Sequence, residues 1–326
     1  MATNKKKIIA PAVLARAGWD VLHSRDDVEA ISYDPLMPTP DFHALLKDVD
    51  GVILALTRFG DPELDAGPRV QVAARIGVGF DSVDVPALTK RGIPLMTVGI
   101  ANSPTVAEQA FAMMFTLAKR MPQNDAGVRA GTWRDQLKVY PVDFFEKTML
   151  IVGFGRIGSR TAKRAVAFDM RVLVYDPYVK AEVIRAAGCE PVKDLDAAIA
   201  EADFITVHCP KNDETIDMFD AKRLGRMKPT AVIVNTARGG IVNEKALFDV
   251  LAGGKIAGAG IDVFEKEPAS VDHPLLKLEN VVVAPHLAGV TQESMARMGA
   301  TAVRNALSVL DGAPIKENAV NPEVFK

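Results

Sequence analysis

Only two cysteines, Cys189 and Cys209, occur in 326 residues, too few to staple a chain of this length and in no metal-ligand spacing. A reducing compartment and no bound metal are the expectation. No stretch approaches the roughly 18 uninterrupted apolar residues of a membrane span. A basic excess is missing too: 39 Lys and Arg face 41 Asp and Glu, for a net charge of -2. With no surplus cations to displace counterions, a nucleic-acid partner is excluded. Repeats with a period of roughly 20–50 residues are absent, as are low-complexity segments. The segment "KKKIIAPAVLARAG" has the basic start and short apolar run of a signal peptide, but Pro11 interrupts that run and Arg16 ends it. It reads instead as a strand over Lys7 to Ala10 leading into a helix, and the protein is expected to be soluble and cytoplasmic.

What is present is apolar content, 48% of the chain, enough to bury a sizeable core and to exclude a disordered protein. From residue 5 to about 100, apolar runs ("IIA", "VDGVILAL", "QVAARIGVG", "GIPLMTV") alternate with helical patterns, the signature of a parallel α/β layer. A helix then opens at "NSPTV", with Asn102 or Ser103 as cap and Pro104 at the first helical position. Its stripe of Val106, Ala110, Phe111, Met114, Leu117 and Ala118 faces a core. Beyond it come six strand-like runs, "MLIVG", "RVLVYD", "FITVHCP", "AVIVNTA", "IAGAGIDVF" and "VVVAP", apolar throughout as strands covered on both faces must be. The last helix, from about Thr291 to Leu310, has no strand after it and is expected to return to the first domain. The fold class is therefore α/β, with two doubly wound parallel sheets, Rossmann-like and flavodoxin-like. One domain spans residues 1–101 and 291–326, and a cofactor domain over 102–290 is inserted into it.

Gly153, Gly155 and Gly158 form G-x-G-x-x-G between a strand and a helix, and Asp176 closes the following strand, "RVLVYD". This is the dinucleotide context: the first glycine for a tight turn, the second for the approach of the pyrophosphate, the third for close helix–sheet packing. The turn, Arg156 and Ile157 included, and the helix start supply amides and positive dipole for phosphates. Asp176 can accept the ribose hydroxyls and repel a 2′-phosphate, so the expected cofactor is NAD.

Arg238 in "NTARGG", Glu267 in "GIDVFEKEP" and His286 in "APHLAG" each follow a later strand, where ligands sit in open α/β sheets. A base, a cation and a carboxylate that tunes the base are what hydride exchange with a 2-hydroxy acid requires. Of the other histidines, His23 and His43 fall in helical patterns, His273 in a polar loop, and His208 on a strand, where it reads as a wall of the cofactor site.

The stretches "RIGVGFDSVD", "TVAEQAFAMM", "GFGRIG", "VYDP", "NTARGGIVNEKAL", "GAGIDVFEKEP" and "PHLAG" together resemble the D-isomer-specific 2-hydroxyacid dehydrogenase family over almost the whole chain. The resemblance implies that His286 is the acid/base, that Glu267 holds this imidazole and favours its protonated form, and that Arg238 orients the substrate. It implies backbone amides of Val78 and Gly79 at the substrate carboxylate, and Thr105, Asp176, Cys209, Ala237 and Asp262 around the cofactor. It also implies a homodimer joined through the cofactor domains. Among subfamilies the sequence is most similar to phosphoglycerate dehydrogenases, which makes 3-phosphoglycerate the leading substrate, with Arg75 as its phosphate-binding cation. Hydroxypyruvate or glyoxylate reduction is the alternative.

Two departures stand out. The linker "VYPVDFFEKTMLIVG" lacks the family's usual Gly-x-Glu-Leu and Gly-Lys, and the sequence ends at Lys326, where no regulatory domain is expected to follow. Formate oxidation is disfavoured because formate dehydrogenases pair the histidine with Gln rather than Glu. Corepressors of the C-terminal-binding-protein type, which keep a similar triad and use NAD to assemble with peptides, are the rival outside enzymes.

Overall fold

The computed structural model describes residues 5–326. The chain divides into two compact units, one formed by residues up to Asn102 together with Val290–Lys326, the other by Ser103–Gly289. In the first unit, five strands run β1 (Lys6–Pro11), β2 (Val28–Tyr33), β3 (Gly51–Leu54), β4 (Val72–Arg75) and β5 (Leu95–Met96). They form a parallel sheet of order β2-β1-β3-β4-β5, one of the two common doubly wound orders. β2 has no counterpart among the apolar runs of the sequence. It is an edge strand with only Val28 and Tyr33 buried, so it carries neither an apolar run nor strict alternation.

The final helix, Gln292–Leu310, packs on the helix Arg16–His23 and on β3 and β4. The chain after it closes the opposite edge of the sheet: Thr97 N–H donates to the Asn318 carbonyl at 2.8 Å and Val320 N–H to that of Leu95 at 2.8 Å. Asn321, 1% exposed, completes the seal. Its Oδ1 accepts from Leu95 N–H at 2.8 Å, and its Nδ2 donates to Thr89 Oγ1 at 2.9 Å and to the Ile93 carbonyl at 3.0 Å. Asn321→Ala leaves buried partners unsatisfied and is expected to cost about 2 kcal/mol, read as a lower urea midpoint; an unchanged midpoint would show that the tail contributes nothing to this edge.

The second unit holds seven parallel strands: β6 (Thr148–Val152), β7 (Arg171–Tyr175), β8 (Glu190–Pro191), β9 (Phe204–Val207), β10 (Val232–Asn235), β11 (Gly258–Ile261) and β12 (Val281–Val283). Their order is β12-β11-β10-β9-β6-β7-β8, so the winding reverses between β6 and β9, the point where such sheets open a ligand crevice. β6, β9 and β10 are buried at all or nearly all positions, as expected beneath two helical layers. The two-residue β8 is too short to show in the sequence.

The helix Ser103–Lys119 buries Val106, Ala110, Phe111, Met114 and Ala118 as its spacing predicts, but Leu117 only partly, and it also buries Ala107 and Met113. The wider face follows from its neighbours, since β10, β11 and the helix Gly158–Ala167 all pack against it. The unusual linker is anchored by an aromatic side chain. Phe144, 4% exposed, stacks on Phe204 at 4.5 Å and lies 4.5 Å from the Phe115 ring, within a cluster that includes Phe111 and Phe168. No helix among the described residues is long and apolar enough to cross a membrane.

Candidate active site

Each glycine of the nucleotide motif has its own steric reason. Gly153 follows β6 directly with φ +94°, and a Cβ there would lie 2.6 Å from the backbone N of Cys209, so the turn rests directly on the segment leaving β9. A Cβ on Gly158 would fall 1.9 Å from the Gly153 carbonyl oxygen, which fixes how closely the helix Gly158–Ala167 approaches the strand. At Gly155 a Cβ would meet nothing within 4 Å. The open space is therefore at the one position where a pyrophosphate needs to approach the main chain. No side chain caps the helix beginning at Gly158; Ser159 N–H donates to the Gly155 carbonyl and Arg160 N–H to that of Ile157, and the positive end of the helix dipole faces the glycine turn. These residues fit a dinucleotide.

Asp176 does more than the sequence suggested. Its Oδ2 accepts from Phe154 N–H at 2.7 Å, and its Oδ1 accepts from Tyr178 and Val179 N–H at 2.9 and 3.2 Å. The carboxylate thus ties the glycine turn to the end of β7, and the Asp-Pro step is the sequence signal for the second half of that arrangement. The Tyr178 hydroxyl donates to Glu214, which places a second carboxylate near this corner and pushes the phenol pKa up. Cys209 is half-buried and desolvation pushes its thiol up to about 11, so it is a neutral wall rather than a nucleophile. His208 is settled similarly. Its Nε2 lies 3.1 Å from Thr161 Oγ1 and 3.0 Å from Thr206 Oγ1, and burial pushes its pKa down to about 3. An imidazole held neutral at working pH is no proton shuttle.

Arg238, Glu267 and His286 follow β10, β11 and β12, three neighbouring strands in register through Asn235, Ile261 and Val283. His286 Nδ1 and Glu267 Oε2 are 2.8 Å apart, and Glu267 Oε1 accepts from Phe264 N–H at 3.0 Å. Both side chains remain open to solvent, 48% and 38% exposed, as reacting groups in a cleft require. His286 has φ +54°, a left-handed conformation that costs a non-glycine residue about 1–3 kcal/mol. Asp262 enforces it from below: fully buried, it accepts from Leu287 N–H at 2.8 Å and Ala288 N–H at 2.9 Å, while its carbonyl accepts from His286 N–H at 2.7 Å. Desolvation pushes the Asp262 carboxyl pKa up, against the pull of those two amides. The resemblance put Asp262 at the cofactor; its geometry is that of a support for the histidine loop.

The Arg238 turn is organised by Asn235, the first residue of "NTARGG", a position given no role from the sequence alone. Its Oδ1 accepts from Ala237 N–H at 3.0 Å and its Nδ2 donates to the Arg238 carbonyl at 2.9 Å. Arg238 itself is half-buried and donates from Nη1 to the Ala237 carbonyl at 2.7 Å. Gly239 follows because a Cβ there would sit 1.9 Å from the Phe264 carbonyl oxygen.

In the first unit, Val78 and Gly79 lie half-buried in the turn after β4. Arg75 is 5% exposed and its Nε donates to the Gly79 carbonyl at 2.8 Å. Through this bond the buried guanidinium braces its own loop. Thr105 lies in the first turn of the helix Ser103–Lys119 of the second unit and is 6% exposed. No cluster of metal-ligating side chains is present among the described residues.

Residues 111–288 match the model of a family described as D-isomer specific 2-hydroxyacid dehydrogenase, NAD binding domain. A glyoxylate reductase of Korarchaeum cryptofilum is 41% identical over 285 residues, 86% of this chain and 85% of that one. A D-3-phosphoglycerate dehydrogenase of Archaeoglobus fulgidus is 39% identical over 83% of this chain, which spans only 51% of that longer protein. The crystal structure of a D-lactate dehydrogenase from Aquifex aeolicus, complexed with NAD and lactic acid, matches with a TM-score of 0.85 at 28% identity, covering 97% of this chain and 99% of that one.

Proposed function

This chain belongs to the D-isomer specific 2-hydroxyacid dehydrogenase family, and from that premise we propose that it reduces a short 2-oxo acid, hydroxypyruvate or glyoxylate, with NADH. The observation that carries the reading is the His286–Glu267 contact of 2.8 Å on a strand end beside the Arg238 turn. NAD, once bound at the glycine turn, supplies the hydride exchange. Glu267 engages Nδ1 and leaves Nε2 of His286 to hold the proton that a carbonyl oxygen takes up on reduction and a hydroxyl gives back on oxidation. Arg238 offers its guanidinium to the carboxylate and carbonyl of the substrate. Val78 and Gly79 offer backbone amides for a carboxylate, braced by Arg75. Residues 103–289 then act as the NAD-binding domain, and the remainder as the substrate domain.

The relatives point two ways on substrate, and Arg75 favours the smaller one. Bonded through Nε to Gly79 and 5% exposed, it is committed in part to its own loop. A substrate panel tests this: kcat/KM for hydroxypyruvate or glyoxylate is expected to exceed that for phosphohydroxypyruvate by at least about tenfold, roughly 1.4 kcal/mol. Phosphohydroxypyruvate as the best substrate would restore the phosphoglycerate reading. In the same assay, the carboxylates of Asp176 and Glu214 lead to at least about tenfold preference for NADH over NADPH. Equal use of NADPH would remove Asp176 from cofactor choice.

The protein acts as a homodimer in this reading. The helix Met121–Arg129 buries none of its residues, and Met121, Trp133, Tyr140 and Phe145 around it are each more than half exposed. Such an arm is suited to cover a second copy of itself.

A further inference from the structure

The helix Glu244–Ala252 is capped by Asn243, whose Oδ1 accepts from Ala246 N–H at 2.9 Å, so Glu244 is not needed for the cap. Its carboxylate turns outward from the helix instead. Oε1 accepts from Glu265 N–H at 2.6 Å, and Oε2 pairs with His273 Nε2 at 2.9 Å. The arrangement is reciprocal, because Glu244 N–H donates to Glu265 Oε1 at 3.2 Å. His273 Nδ1 accepts a long bond from Leu275 N–H at 3.4 Å, which puts the ring proton on Nε2, facing Glu244. The imidazole also meets the Phe264 ring edge-on at 5.4 Å, and both members of the pair are mostly buried, 20% and 14% exposed.

What this pair grips is the Phe264–Glu265 peptide. The same segment donates Phe264 N–H to Glu267, and its Phe264 carbonyl presses on Gly239, the residue after Arg238. One short segment therefore touches both Glu267 and the Arg238 turn, and Glu244, paired with His273, holds it through the Glu265 N–H. A charge-assisted bond to a peptide N–H is strong and directional, so its loss lets the segment move. Displacements of about 1 Å in such a support are enough to cost large factors in rate.

We propose that Glu244 and His273 are positioning residues for the reaction: they fix the Phe264–Glu265 peptide and, through it, the contact of Glu267 with His286. The pair touches no reacting atom, and the inference rests on the activity proposed above.

Steady-state kinetics of E244A, H273A and E267Q, with the double variant E244A/E267Q, test it against a wild-type enzyme whose activity is measured first. Inactive wild type would overturn the functional reading alone. The 15N shift of His286 Nδ1, recorded at one fixed pH, then carries the test of positioning by itself. Expected results are a fall in kcat of about 10- to 100-fold for E244A and about 5-fold or more for H273A, with NADH affinity within about twofold of wild type. The double variant should be no slower than E267Q, since both changes act through one contact, and the His286 shift in E244A should move toward its E267Q position. Should E244A fail to fold, H273A and E244Q carry the test, with E244Q retaining the acceptor for Glu265 N–H and most of the rate. Unchanged kcat and His286 shift in the folded variants, or losses that multiply in the double variant, would overturn the proposal.

Discussion

His286→Ala is expected to lower the turnover of 2-oxo-acid reduction by roughly 100- to 10,000-fold while NADH still binds. The loss is large because neither His208 nor His273 can stand in for it. His208 is half-buried, with desolvation pushing its pKa down to about 3, and His273 is engaged with Glu244. The cofactor should be unaffected, since the Gly153 turn and Asp176 belong to other strand ends. The pH dependence has a definite sign. Reduction of the 2-oxo acid takes up a proton and oxidation of the hydroxy acid releases one, so rising pH shifts the balance from reduction toward oxidation. Glu267→Gln removes the charge from the 2.8 Å contact with His286 Nδ1, so turnover should fall in both directions. Rates measured across pH in both directions check this. Near-normal turnover in His286→Ala would remove the residue from the chemistry.

The glycine turn gives the second large effect, and it separates fold from cofactor. Gly158→Ala drives a methyl to 1.9 Å from the Gly153 carbonyl oxygen, where only backbone can yield. It should destabilise its unit by about 1–3 kcal/mol, as overpacking does, and lose NADH binding with it. Gly155→Ala meets nothing within 4 Å, so thermal unfolding should change by less than about 0.5 kcal/mol. Yet the methyl occupies the space through which the pyrophosphate reaches the main chain, and the NADH Kd should rise by about tenfold or more, roughly 1.4 kcal/mol. Calorimetry and fluorescence titration of the two variants read the contrast. Tight NADH binding in Gly155→Ala would place the pyrophosphate elsewhere.

Residues whose role is set by their immediate neighbours are legible in the sequence alone. The three glycines, the Asp176 position and the buried runs of β6, β9 and β10 each follow from a few adjoining residues. Arg238, Glu267 and His286 are legible as strand-end residues, but the contact between the last two needs a sheet to align β11 and β12. The long-range supports are not legible. Asp262 and Glu244 are single polar residues whose partners lie elsewhere in the chain, 25 and 26 residues away for Asp262 and up to 29 for Glu244 and His273, and no spacing rule marks them. The surroundings of Arg75 are not legible for the same reason. An arginine at a strand end is accessible or buried according to how the next turn folds, and here that turn brings the Gly79 carbonyl to its Nε. β2 leaves no pattern because an edge strand needs only one partner and little apolar surface.

The most direct test of the account is the reaction of the purified protein with NADH and hydroxypyruvate, following NADH absorbance and the chirality of the glycerate formed. The account predicts one NADH consumed for each D-glycerate produced. NADH that binds but is not consumed, with glyoxylate equally inert, would make the chain a cofactor-sensing scaffold, and L-glycerate as product would contradict the arrangement of Arg238, Glu267 and His286 proposed here.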